Sequence, residues 1–278
     1  MSTVINTNVK AMIATSALVQ NGRSMRSTME SLSTGSRINQ ASDDAAGLSV
    51  RENMTAQING LNAAVRNAND AISMLQTADG ALNESAEMLI RMRELGILAQ
   101  NDTYSTAQRV AMNDEFSALQ SEITRIADNT QWNKMFLLNG DGGNGGGAGA
   151  WQFQVGANTN QTITVTISDM AAGSLGVSTV SITSVGVAQD AVSALDDAIS
   201  VLNTRRSLIG AVINRLTHAI DNLTNVAQNT SEARSRVTDT DYATATSELA
   251  RSQIIQQAGM AMLAQANQQP QMVLSLLR

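Results

Sequence analysis

Residues 191–223 read AVSALDDAISVLNTRRSLIGAVINRLTHAIDNL. Val192, Leu195, Ile199, Leu202, Ile209, Ile213, Leu216, Ile220 and Leu223 follow alternating three-four steps, broken only by Arg206. That spacing keeps one narrow seam of a helix turned toward a partner helix. A strand would need strict alternation of apolar and polar residues, which is missing. The period resumes at Ala188 and predicts a helix over 188–234.

The same grammar recurs toward the N-terminus. Met54, Ile58, Leu61, Val65, Ala68, Ile72, Leu75, Leu82, Ala86 and Leu89 predict a helix over 44–100, with Ser42 or Asp43 as N-cap. At 1.5 Å per residue, about 50 residues span about 75 Å. Before it, Val4, Ala11, Leu18, Met25 and Leu32 stand seven apart, with Ile5, Met12 and Val19 on the adjoining column, in a helix ending near Thr34-Gly35. A break at Asn101-Asp102 and a cap at Thr103 or Ser105 precede a third helix, carried by Met112, Phe116, Leu119, Ile123 and Ile126 and stopping near Asn129. The last segment, from about Asp241, places Ile255, Met262, Ala266, Val273 and Leu276 on one stripe.

Between Lys134 and Val187 the character changes. Residues 140–149 are glycine-rich and read as a flexible loop, while Trp151-Phe153-Val155 and Ile163-Val165-Ile167 alternate with polar residues as half-buried strands do. The fold class is therefore mainly α: a long antiparallel helical bundle or coiled coil, both terminal helices side by side, and a small β-hairpin-rich insert at about 134–187. Folding back at the insert would pair 44–100 with 188–234 and bring both termini to one tip.

Composition excludes several classes. One proline, Pro270, and seven aromatic residues (two Trp, two Tyr, three Phe) favour uninterrupted helices with aliphatic seams. A net charge of −6 and a pI near 4.8 lack the basic footprint of a nucleic-acid binder. With no cysteine and one histidine, a His/Cys metal site or a Ser-His-Asp triad would rest on His218 alone, inside a heptad helix; His218 reads as a surface residue. No cofactor and no enzymatic activity are expected. Asp43-Asp44 reads as capping acids at a helix start. Arg91, Arg93 and Glu94 read as an ion-paired surface. The glycine run lacks the Gly-Lys-Ser/Thr and following helix of a phosphate loop. Residues 1–20 show no signal-peptide pattern, and no stretch reaches 18 continuous apolar residues, so membrane insertion is not expected and any export would be leaderless.

Particular strings carry a resemblance. Val4-Ile-Asn-Thr-Asn8, Leu32-Ser-Thr-Gly-Ser-Arg-Ile-Asn39, Asp43-Asp-Ala-Ala-Gly47, Ala63-Ala-Val-Arg-Asn-Ala-Asn-Asp70, Gly80-Ala-Leu-Asn-Glu84 and Arg91-Met-Arg-Glu-Leu95 closely resemble bacterial flagellin. So do Ala233-Arg-Ser-Arg-Val-Thr-Asp-Thr-Asp-Tyr-Ala243, Gln256-Gln-Ala-Gly259, Leu263-Ala-Gln-Ala-Asn-Gln-Gln-Pro-Gln271 and Leu274-Ser-Leu-Leu-Arg278. The resemblance covers about 1–140 and 188–278 and suggests a short form without large outer domains.

It implies an extracellular subunit of the flagellar filament, exported unfolded through the type III apparatus and polymerising for motility. The implied domains are 1–43 with 235–278 as the terminal-helix core, and 44–187 with 188–234 as the bundle. The implied assembly seams are Val4, Ile5, Ala11, Met12, Leu18, Met25, Leu32, Ile255, Met262, Leu263, Val273, Leu276 and Leu277. Implied partners are further copies of the chain, a flagellin export chaperone, and the flagellar cap and hook-junction proteins. Arg91, Leu95 and Glu115 match positions through which some flagellins engage a host Toll-like receptor, although Gly96-Ile-Leu-Ala-Gln100 departs from the recognised pattern. Two rival readings are a hook-filament junction protein and a surface-displayed binding module, marked by Trp151 and Phe153, on a helical stalk.

Overall fold

The computed structural model describes residues 7–143 and 149–276, the last eight of these as backbone alone. It divides into two compact units, Met1–Ala56 with Asn229–Arg278, and Gln57–Gln228.

In the first unit, α1 (Val9–Thr34) and α5 (Tyr242–Leu276) pack against each other. Their antiparallel register is fixed by side-chain amides reaching across: Asn8 Nδ2 donates to the Ala266 carbonyl at 2.8 Å and Asn21 Nδ2 to the Ser252 carbonyl at 2.8 Å. The Tyr242 hydroxyl donates to the Leu32 carbonyl at 3.3 Å. Asn8 caps α1 by accepting from Ala11 N, and Gly35 ends it at φ 71°, a left-handed conformation that glycine adopts without a Cβ clash.

Beyond Gly35 the chain is stapled to its C-terminal counterpart. Arg37 N donates to the Thr238 carbonyl at 2.6 Å, and Thr240 N returns a bond to the Gly35 carbonyl at 3.0 Å. Arg51 Nη1 holds the carbonyl of the buried Ile38 at 2.8 Å. The N-cap of α2 (Ala45–Ala99) is Asp44, whose Oδ1 accepts from Gly47 N at 2.8 Å, where the sequence reading placed it at Ser42 or Asp43. The Asp43 carboxylate is occupied by the amides of Asn39 and Gln40 in the preceding turn. A Cβ at Gly47 would stand 2.5 Å from both Asp44 Oδ2 and Ile38 Cδ1, which explains the glycine in Asp-Asp-Ala-Ala-Gly.

In the second unit, the bulk of α2 packs with α3 (Thr106–Asn129) and α4 (Val185–Thr238). Leu75, Leu82, Leu89, Phe116, Ile123, Leu195, Leu202 and Leu216 are completely buried. The antiparallel register of α2 and α4 is visible in Arg206 to Asp79 at 2.9 Å and Arg93 to Asp196 at 2.6 Å. Arg206, the break in the heptad, thus places its charge on an acid at the rim of the seam. Ser105 and Gln108 form a reciprocal capping box at the start of α3.

Two hairpins complete this unit. β1 (Gln131–Trp132) and β2 (Met135–Phe136) join through Asn133 and Lys134, at φ 48° and 64°, the twist that suits a two-residue hairpin turn. The β structure therefore begins before Lys134. β3 (Ala150–Gln154) and β4 (Thr162–Thr166) pair antiparallel with Trp151 opposite Val165, both 5% exposed. The middle of the glycine-rich loop, 144–148, lies outside the described residues.

Candidate assembly surface

The pairing of α1 with α5 is built from small residues. Ala245, Ser252, Gly259 and Ala266 stand seven apart on α5, each buried or half-buried, with Leu249, Gln256 and Leu263 between them. Opposite runs the column Ala11, Leu18, Met25 and Leu32, half-buried throughout. Leu18 meets the small Gly259 across this pair, the kind of fit that close helix packing uses. A Cβ at Gly259 would come within 2.7 Å of Leu18 Cδ2, so glycine there admits the leucine.

Several large apolar side chains of the same helices face outward instead. Met12 is 65% exposed, Ile13 65%, Ile254 66%, Ile255 47%, Met260 54% and Met262 63%. Of the seam residues read from sequence, Ala11, Leu18, Met25, Leu32 and Leu263 lie in the α1–α5 pairing, whereas Met12, Ile255 and Met262 are exposed. The stripe expected from Ile255 to Ala266 is therefore split, since Ala266 is half-buried. Val4, Ile5 and Leu277 lie outside the described residues, and Val273 and Leu276 belong to α5 with undescribed side chains. An open groove of about 620 Å³ runs between the two helices, lined by Lys10, Ile13, Ala14, Met262, Gln265, Ala266 and Gln268.

In the second unit, Arg91 Nε pairs with Glu115 Oε1 at 2.9 Å, and its Nη1 with Glu94 Oε2 at 3.1 Å. The hydrogen bond donated to Glu115 and then that donated to Glu94 push the guanidinium pKa further up. Arg91 and Glu115 are exposed and belong to α2 and α3, while Leu95, one turn along from Arg91, is 2% exposed and packs in the core. Trp151 is turned into the core and Phe153 packs partly buried against it, so neither offers an open aromatic face. His218 is exposed on α4, and among the described residues no His/Asp/Glu cluster suits a metal ion. No described helix is long and apolar enough to cross a membrane.

Long paired end helices that leave Met12, Ile13, Ile254, Met260 and Met262 in solvent define the architecture of a helical structural protein. Family models agree: residues 5–142 match the bacterial flagellin N-terminal helical region and 192–277 the C-terminal helical region. A flagellin of Halalkalibacterium halodurans is 44% identical over 275 residues, 99% of this chain and 100% of that one. A flagellar filament 33 kDa core protein of Treponema phagedenis is 41% identical over 285 residues, again 99% of this chain and 100% of the relative. The crystal structure of Bacillus cereus flagellin superposes with a TM-score of 0.51 at 30% identity, covering 61% of this chain and 94% of that one. The chain belongs to the bacterial flagellin family and is a structural subunit of the flagellar filament.

Of the small-residue column at 245, 252, 259 and 266, the sequence reading had only Ala266, and it set that residue on the stripe of Ile255 and Met262. The seven-residue repeat of Ala245, Ser252 and Gly259 was a usable signal that went unread.

Proposed function

We propose that the filament forms through the terminal helices: α1 and α5 pair within each subunit, and their outward apolar residues pack on neighbouring subunits. One observation carries this reading, the half or greater exposure of Met12, Ile13, Ile254, Met260 and Met262 on helices that already have a partner. Heterologous contacts that do not close produce a helical polymer. Val4, Ile5, Ala11, Met12, Leu18, Met25, Leu32, Ile255, Met262, Leu263, Val273, Leu276 and Leu277 together supply the internal and external seams. The terminal-helix core takes in 1–43 and 235–278, and 44–234 form the bundle with its insert.

The same reading carries the subunit out of the cell through the flagellar export apparatus, with a chaperone covering the exposed stripe of α5 before assembly and the cap and hook-junction proteins meeting it afterwards. For host recognition, Arg91 and Glu115 present a charged pair on the surface while Leu95 supports it from beneath. A receptor reporter assay on the parent chain and on Arg91→Ala tests that part.

Assembly itself is tested by seeding purified monomer, following helix content by circular dichroism and imaging the product by negative-stain electron microscopy. Long uniform filaments from the full chain, and none after removal of 1–34 or 242–278, are expected. A chain that caps filaments without extending them would instead be a junction protein.

A further inference from the structure

Oxygen chemistry on this surface has a restricted set of targets. The chain contains 14 methionines and no cysteine, so thioethers are its only sulfur nucleophiles. Their burial is uneven: Met74 is 3% exposed, Met92 0% and Met170 2%, inside the second unit. In contrast, Met12 is 65% exposed, Met262 63%, Met260 54% and Met29 45%. Those four all lie on α1 and α5; the other strongly exposed methionine among the described residues is Met135, at 37%. Met12 and Met262 also stand at the same level of the helix pair, because Asn8 meets Ala266 and Asn21 meets Ser252, and Met262 lines the open groove beside Ile13.

We propose that Met12, Met260 and Met262 form an oxidant-sensitive control on polymerisation, open to two-electron oxidants in the free subunit and protected in the filament. The inference rests on the assembly surface proposed above. The step balances with a peroxide: the thioether sulfur attacks one peroxide oxygen, the O–O bond breaks, and methionine plus hydrogen peroxide gives methionine sulfoxide plus water. Nothing on the subunit itself need unfold, since these side chains already face solvent. On assembly the new S=O dipole would have to leave water without a partner, which disfavours the contact and raises the monomer concentration needed for growth by about tenfold or more. The change is reversible, because a methionine sulfoxide reductase returns the apolar thioether.

The test treats purified full-length monomer with graded hydrogen peroxide, locates the added oxygen by peptide mass spectrometry and measures seeded assembly by sedimentation. The expected result is oxidation first at Met12, Met260 and Met262, assembly lost in step with it, circular dichroism unchanged, and growth restored by a methionine sulfoxide reductase. A variant carrying Met12→Leu, Met260→Leu and Met262→Leu keeps size and hydrophobicity and should assemble after a dose that stops the parent. Oxidation of intact filaments supplies a readout independent of that variant, with the three sulfurs reacting about tenfold more slowly than in monomer or slower still. Equal reaction rates in monomer and filament, or normal growth of monomer oxidised at all three sites, would overturn the proposal. If untreated subunit does not polymerise at all, the assembly surface itself is wrong, an outcome distinct from either.

Discussion

Replacing Ile13 with asparagine should separate folding from assembly. The side chain is 65% exposed in the single subunit, so the change alters subunit stability by no more than about 0.5 kcal/mol. Helix propensities of the two residues are nearly equal, which leaves α1 intact. Burying a whole isoleucine side chain is worth about 1.5–3 kcal/mol, and with two thirds of it still open a neighbouring subunit can draw about 1–2 kcal/mol from it. An amide left without a partner in the same contact costs about 1–3 kcal/mol more. The combined loss, about 2–5 kcal/mol, raises the critical concentration about thirtyfold even at its lower bound. Sedimentation of seeded samples over a concentration series measures this directly, with circular dichroism of the supernatant reporting the free subunit. A critical concentration within about threefold of the parent, at unchanged helix content, would refute the reasoning. Loss of helix in the free subunit would instead place Ile13 inside the fold.

Phe116→Ala should destabilise the bundle unit by about 3–5 kcal/mol in urea unfolding, because the ring is fully buried on α3 and leaves a cavity among α2 and α4. Asp44→Ala removes the cap on Gly47 N and should cost about 1 kcal/mol by the same measurement, most of which Asp44→Asn should recover. Acid should loosen the junction of α4 and α5: hydrogen bonds from Ser235 and then Thr238 hold the Asp239 pKa below its ordinary 3.8, and Thr244 does the same for Asp241. Because the folded values are the lower ones, this stabilisation is complete above the ordinary value and is lost as pH falls through the depressed ones. Amide exchange at 242–246 should therefore accelerate over that acid range, and the Asp239→Asn, Asp241→Asn double variant should lose the extra pH dependence.

The elements themselves were legible because their signals are local. A seven-residue apolar repeat placed α4, Thr34-Gly35 marked the end of α1, Thr103 or Ser105 marked the start of α3, with Ser105 the cap in the fold, and alternation around Trp151 and Ile163 identified the paired strands. Even the odd residue in the best heptad, Arg206, fits once Asp79 is brought beside it. The Asp43-Asp44 start of α2 was readable to within a residue, and only the turn before it, which occupies Asp43, decided that Asp44 is the cap.

By itself the sequence determined the helices, the strand pair around Trp151 and Ile163 and the family, since period, capping and the terminal motifs are properties of the chain read in order; the hairpin at 131–136 it did not mark. Tertiary structure decided which face of each terminal helix is inside. A hydrophobicity pattern ranks Ile255 and Met262 above Ser252 and Gly259, yet close approach of two helices selects small side chains, and Leu18 requires the space that Gly259 leaves. Ile255, Met260 and Met262 are thereby left exposed, and in the proposed assembly they form the apolar surface that neighbouring subunits cover.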